Sequence, residues 1–325
     1  MTVRTTSRMI SATPEGVAEA AQCLAAGGLT AFPTETVYGL GADATNAEAI
    51  ARLYQAKGRP SFNPLIAHVA DLAAARKIAR FGADAEKLAA AFWPGPLTLV
   101  LPRLPGCTVA DLATAGLDTV GVRIPAHPVA LAILKALGRP VVAPSANRSG
   151  HVSPTNAQHV HADLGDRIDL IVDGGATPVG VESTIVGCFE RATLLRPGGV
   201  PRAEIETVLG YRLERPPQHD DSGQPLAPGM LASHYAPRAK VRLNATSVAP
   251  GEALLAFGAT TIPGTEKAAA ILNLSETGDP VEAAARLFGF LRKLDTTGAA
   301  RIAVMPIPDD GLGEAINDRL RRAAA

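Results

Sequence analysis

The residues with most chemistry to offer are cations set in apolar surroundings, and small hydroxyl and amide groups gathered where apolar runs end. Arg123 stands inside the apolar run "VGVRIP". A guanidinium held there needs an anion, either a carboxylate of the protein or one brought by a substrate. Lys57 and Arg59 flank Gly58 in "QAKGRPSFNPLIAHV", so both heads can reach one anion, the lysine as a point charge and the arginine as a planar fork. The same two cations could instead offset the negative end of a helix dipole. Asn63 lies just beyond them, and His68 ends the next apolar run, where a lone histidine reads as a core residue before it reads as a ligand.

Other clusters repeat the pattern. "FPTETVYGLGADA" crowds hydroxyls, one carboxylate and glycines directly after the apolar "GGLTAF". Strand ends of open α/β sheets are where ligands sit, although Thr and Gly also make ordinary turns. "VVAPSANRSGHVSPT" supplies Ser145, Asn147, Ser149 and Ser153, many donors with little bulk, as phosphate or ribose recognition requires. It is equally the composition of a common surface loop. Thr119 precedes Arg123 by four positions, "GVESTIVG" carries Glu182, Ser183 and Thr184, and Arg196 ends an apolar run in "LLRPGG". No GxxxxGK[ST] loop occurs, nor a GxGxxG after a strand, and no GxSxG or Cys/His signature argues for covalent catalysis.

These residues need elements to position them, and helical and strand patterns alternate almost throughout. Thr13 caps a helix with Pro14 at its first position, Asn46 caps "AEAIARLYQAK" up to Gly58, and Asp71 caps "DLAAARKIA". "PLIAHV", "PLTLVL", "VGVRIP", "PVVAPS" and "IDLIVD" read as strands, with the helix "HPVALAILKALG" among them. The alternation predicts an α/β class without fixing strand order. Near Glu214 the chain turns polar and rich in Pro and Gly, the composition of a linker, and a second, smaller α/β alternation follows. The expected organisation is a catalytic domain over 1–213, a linker over 214–238 acting as a lid, and a C-terminal α/β domain over 239–325. The chain has 325 residues, 31 basic against 31 acidic, and neither portion is a basic module. Three dispersed cysteines and no CxxC pair argue against a disulfide framework or a structural zinc site. The first residues contain no apolar leader, so the expected compartment is the cytoplasm.

Seven ordered motifs, "PTETVYGLG", "KGRPSFNPL", "WPGPLTLVL", "AGLDTVGVRIPAHP", "APSANRSGHVSPT", "GVESTIV" and "LLRPGG", together resemble the YrdC-like family. With "PGMLASHYAP" the chain is similar to the long two-domain form, the threonylcarbamoyl-AMP synthases. The resemblance implies a YrdC-like twisted α/β sheet core around a positively lined cavity, and a smaller C-terminal Rossmann-like α/β domain. It implies condensation of L-threonine, bicarbonate and ATP into threonylcarbamoyl-AMP and pyrophosphate with Mg2+. The product would pass to the tRNA threonylcarbamoyl-transfer machinery, with direct tRNA contact left open. Carried over by motif, Thr36, His68, Arg123, Ala143 and Ser183 would hold threonine. Arg59, Asn63, Thr119, Ser145, Asn147, Ser153, Arg196 and His234 would hold ATP, with Lys57 and Arg59 as the catalytic cations and the metal ligands unassigned. The chain departs from the family's often basic or aromatic linker at Leu231, Ala232 and Ser233. Three other readings stand beside this one, and the filled signature positions count against the first, a binding module with a dead site. A non-catalytic RNA-binding protein fits poorly with near-zero charge and scarce aromatics. A carbamoyltransferase of the hydrogenase-maturation type would bring CxxC zinc modules that are missing here.

Overall fold

The computed structural model describes residues 6–215, 227–228 and 234–325. Ten strands form one sheet: β1 (Arg8–Ser11), β2 (Thr30–Pro33), β3 (Tyr38–Asp43), β4 (Ile66–His68), β5 (Leu97–Pro102), β6 (Thr119–Arg123), β7 (Val141–Val142), β8 (Leu170–Asp173), β9 (Thr184–Cys188) and β10 (Ala192–Arg196). Their order is β1-β8-β2-β3-β7-β4-β6-β5-β9-β10, with parallel and antiparallel neighbours mixed. Most strand residues are buried, which is why they read as unbroken apolar runs rather than as alternating ones.

Local signals set many helix ends. The Thr13 hydroxyl accepts from Gly16 N–H ahead of the helix Pro14–Ala25. Asn46 accepts from Glu48 and Ala49 N–H ahead of Ala47–Lys57, which Gly58 ends in the left-handed region. Asp71 caps as expected, but its helix stops at Ala75, because Ala79 leaves to bridge Arg103 beside the main sheet. The larger surprise is β3. The glycine-bearing stretch "YGLGAD" is a buried strand paired on both sides, with β2 and β7. A Cβ on Gly41 would stand 2.7 Å from the Phe32 ring, so this glycine lets the ring pack and does not loosen a loop.

The C-terminal portion holds a second sheet of β11 (Lys240–Arg242), β12 (Ala253–Ala256), β13 (Ala270–Asn273) and β14 (Arg301–Val304), all parallel, in the order β11-β14-β12-β13. The helices Pro280–Asp295 and Gly313–Ala324 belong to it. Leu287, Phe288, Leu291, Ile316 and Leu320 from these helices share one apolar cluster with Val37, Val152 and Val181 of the main unit. At that seam Gly180 takes φ +78°, and a Cβ there would lie 2.3 Å from the Ala284 carbonyl oxygen. No helix among the described residues is long and apolar enough to cross a membrane.

Candidate functional site

The β2–β3 turn builds the first wall of a polar cavity. The Thr34 hydroxyl donates to the Val37 carbonyl (2.6 Å) and lies 2.8 Å from the Thr36 hydroxyl, fixing the turn from inside. Glu35 accepts from Arg123 Nη2 at 2.6 Å and from Ala126 N–H at 3.0 Å. Arg123 Nη2 also donates to Thr36 Oγ1 (3.0 Å), and its Nε to the Gly95 carbonyl (3.3 Å). A protein carboxylate therefore meets Arg123, and sequence reasoning gave Glu35 no role. The signal available was the single carboxylate in a hydroxyl-rich turn. Burial pushes the Glu35 carboxyl up, but the charge and hydrogen bond of Arg123 outweigh it and hold the group below its ordinary value.

β4 and β6 form the floor. Their parallel register pairs Ile66 with Gly121 and His68 with Arg123. Residues two apart on a strand share a face, so Thr119, Gly121 and Arg123 lie on the face that presents Ile66 and His68 to the cavity. Thr119 is not in the cavity wall itself; it sits along the same face, about 13 Å from Arg123 at ~3.3 Å per residue. Burial, followed by the charge of Arg123, pushes His68 down to about 3, so its ring is neutral. Beyond β7, Ala143, Pro144 and Ser145 complete this side.

Opposite stands Arg196. Its Nε and Nη2 donate to the Ser183 carbonyl (3.2 and 2.8 Å), Nη2 reaches Ser183 Oγ (3.2 Å), and Nη1 reaches the Pro228 carbonyl (3.3 Å). Ser183 Oγ also lies 2.8 Å from Thr98 Oγ1, a buried partner that sequence reading missed inside "PLTLVL". The turn after β10 rides on this segment because Gly198 has no side chain: a Cβ would come within 2.3 Å of the Glu182 carbonyl oxygen. Glu182 reaches the cavity wall and accepts from the Ser153 hydroxyl.

The lysine and arginine of "KGR" divide. Arg59 lines the cavity and donates to the carbonyls of Asn63 (3.3 Å) and Pro64 (3.0 Å). Lys57 does not line it; its ammonium donates to the carbonyls of Ser145 and Asn147, both at 2.5 Å. A buried ammonium must satisfy its donors, and this one does so by fixing the loop that carries two expected ATP residues. Neither side chain is spent on its own helix end. Burial lowers Lys57 well below the ordinary lysine range and takes Arg59 to about 10.

Of the expected threonine group, Thr36, His68, Arg123, Ala143 and Ser183 all line one cavity. Of the expected ATP group, Arg59, Ser145, Arg196 and His234 line it, whereas Asn63, Thr119, Asn147 and Ser153 stand outside its wall. Asn63 Oδ1, Asn147 Oδ1 and His234 Nδ1 are buried without a hydrogen-bond partner among the described residues. The expected lid, 214–238, falls largely at 216–226 and 229–233, outside the described residues, and so do Leu231, Ala232 and Ser233. Its described part packs onto the site. Pro228, His234 and Tyr235 line the cavity, and Tyr235, at φ +62°, stacks on Phe288 at 5.5 Å.

This fold is that of a known class. Residues 22–198 match the Sua5/YciO/YrdC family model, described as "Telomere recombination", and residues 200–325 match "Threonylcarbamoyl-AMP synthase, C-terminal domain". The chain is 41% identical over 327 residues to the threonylcarbamoyl-AMP synthase of Bacillus subtilis, covering 95% of this chain and 92% of that one. It is 44% identical over 317 residues to the threonylcarbamoyl-AMP synthase of Pyrococcus abyssi, covering 92% and 91%. A crystal structure of P. abyssi Sua5 complexed with L-threonine matches its backbone with a TM-score of 0.88 at 39% identity, over 98% of each chain. The chain belongs to the Sua5/YciO/YrdC family, in the two-domain form of the threonylcarbamoyl-AMP synthases.

Proposed function

We propose that this chain is an L-threonylcarbamoyladenylate synthase, with one cavity that takes L-threonine at one end and ATP at the other. The observation that carries this reading is the convergence of Thr36, His68, Arg123, Ala143 and Ser183 on the cavity that also holds Arg59, Ser145 and Arg196. Arg123, steadied by Glu35, receives the amino-acid carboxylate, and the hydroxyls of Thr36 and Ser183 receive the threonine hydroxyl. ATP lies along the sheet face from Ser145 and Arg196 past Arg59 toward Asn63 and Thr119. The unpaired Asn63, Asn147 and His234 atoms suit a polar ligand with many acceptors and donors. The catalytic unit spans 1–213 and the C-terminal unit 239–325. Of the segment 214–238, the described Pro228, His234 and Tyr235 close one side of the cavity and would act as part of a lid.

Threonine amine and bicarbonate give a carbamate and water, a readily reversed step that favours a site closed to solvent. A carbamate oxygen then attacks the α-phosphorus and pyrophosphate leaves. Arg59 and Arg196 place the phosphates and offset their charge, while Lys57 acts one step back by holding the Ser145–Asn147 loop. His68 stays neutral and positions substrate as a donor or acceptor rather than as a cation. Glu182 in the cavity wall and Glu35 beside Arg123 are already paired with arginine, and no cluster of three or more metal-binding side chains occurs among the described residues. Mg2+ thus fits as an ion carried on the triphosphate, where it would screen charge. The product is read as a substrate for transfer to tRNA, in the cytoplasm.

The test is pyrophosphate release by the purified chain. It should require ATP, L-threonine and bicarbonate together, and labelled bicarbonate should enter an adenylate. L-Valine, which lacks the hydroxyl and so forfeits its hydrogen bonds to Thr36 and Ser183, should support little release. Release without threonine, or equal release with valine, would contradict the assignment.

A further inference from the structure

The helix Gly313–Ala324 sends one side chain out of the C-terminal unit and against the cavity wall. Arg319 is 0% exposed. Its Nε donates to Glu182 Oε2 at 2.8 Å, and its Nη1 donates to the Pro197 carbonyl (2.8 Å) and to Asp318 Oδ2 (2.7 Å). Its guanidinium carbon stands 5.3 Å from the centre of the Tyr235 ring. Glu182 uses its other oxygen to hold the Ser153 hydroxyl. One guanidinium therefore ties down the two segments that carry Ser183 and Arg196. Stability alone is a weak reason for such a pair, since apolar replacements of buried ion pairs are often no less stable. Its location at the edge of an anion-binding cavity supplies a better one.

We propose that Arg319 is a positioning residue for the nucleotide: it cancels the charge of Glu182, so that this carboxylate can stand in the cavity wall without repelling a polyphosphate, and it thereby makes the C-terminal helix part of the ATP site. This rests on the reading of Arg59 and Arg196 as the ATP end. Without Arg319, the Glu182 carboxylate faces the triphosphate with only Arg196 to offset it, and like charges brought together in a buried site repel strongly.

Calorimetric titration of the full chain with ATP, and separately with L-threonine, tests this. Arg319→Gln should raise the Kd for ATP by roughly 10- to 100-fold, with a far smaller change for L-threonine. The double variant Arg319→Gln/Glu182→Gln removes both charges and should regain most of the lost affinity. A purely structural Arg319 would lower Tm in both variants, and removing the second charge would restore nothing. Unchanged ATP affinity in Arg319→Gln, or a double variant that binds ATP no better, overturns the proposal. Should Arg319→Gln fail to fold, Arg319→Lys takes its place. An ammonium cannot span Glu182 and Pro197 as the fork does, so ATP should bind several-fold more weakly, and an unchanged Kd again overturns the idea. Wild-type ATP binding without threonine-dependent pyrophosphate release would sink the synthase reading while leaving this comparison intact. No ATP binding by the wild type overturns both.

Discussion

Two histidines in the cavity wall, His68 and His234, are pushed by burial down to about 3. That has a measurable cost in acid. The unfolded chain binds protons on these rings near pH 6.5, whereas the folded chain refuses them until about 3, so stability falls as pH drops through that window. Glu35 and Glu182 have folded values below the ordinary 4.5, so they add a further loss only as pH falls beneath it. Urea unfolding at pH 7, 6 and 5 should show a declining midpoint, and His68→Gln should reduce the slope. A flat profile over that range would show that the rings are charged in the folded chain. At this scale the polar residues in apolar runs were legible one by one: Arg123, His68 and Arg196 stand out against their neighbours. Their partners were not. Glu35 meets Arg123 and Glu182 meets Arg319 across long stretches of chain, and a single sequence records local spacing only.

Caps and glycine stops were legible because each is a short-range contract between a side chain and nearby backbone, as at Thr13, Asn46 and Gly58. β3 was not, because Tyr38–Asp43 carries two glycines that mimic a turn and becomes a strand only through pairing with β2 and β7. The same logic makes the glycine after β10 informative. Gly198 lies against the backbone of Glu182 to Thr184, with 2.3 Å available to a Cβ where none fits. Gly198→Ala should lift the turn that follows Arg196 and misplace its guanidinium. A displacement near 1 Å is enough to lower kcat/KM by roughly 100-fold. The check pairs steady-state pyrophosphate release with a thermal melt. Activity retained at the wild-type level would show that the turn can shift without moving Arg196.

The two sheets meet across one apolar cluster, in which Val37, Val152 and Val181 pack with Leu287, Phe288 and Ile316. A change of composition near Glu214 marks the division in sequence but carries no sign of this seam, because the residues that cross it are ordinary core residues on either side. Sharing a core should make the chain melt as one unit, so differential scanning calorimetry should give a single peak with calorimetric and van't Hoff enthalpies in agreement. Gly180→Ala, whose Cβ would strike the Ala284 carbonyl, should split that peak in two; a single unshifted peak in the variant would show that the seam yields at no cost. The Arg319 contact gives this architecture a consequence in time. Synthesis runs from the N-terminus, and the strands up to β10 emerge before the helix Gly313–Ala324 exists. On the proposed role of Arg319, a nascent chain that has made Glu182 but not yet its guanidinium partner should bind ATP roughly 10- to 100-fold more weakly until the helix Gly313–Ala324 docks.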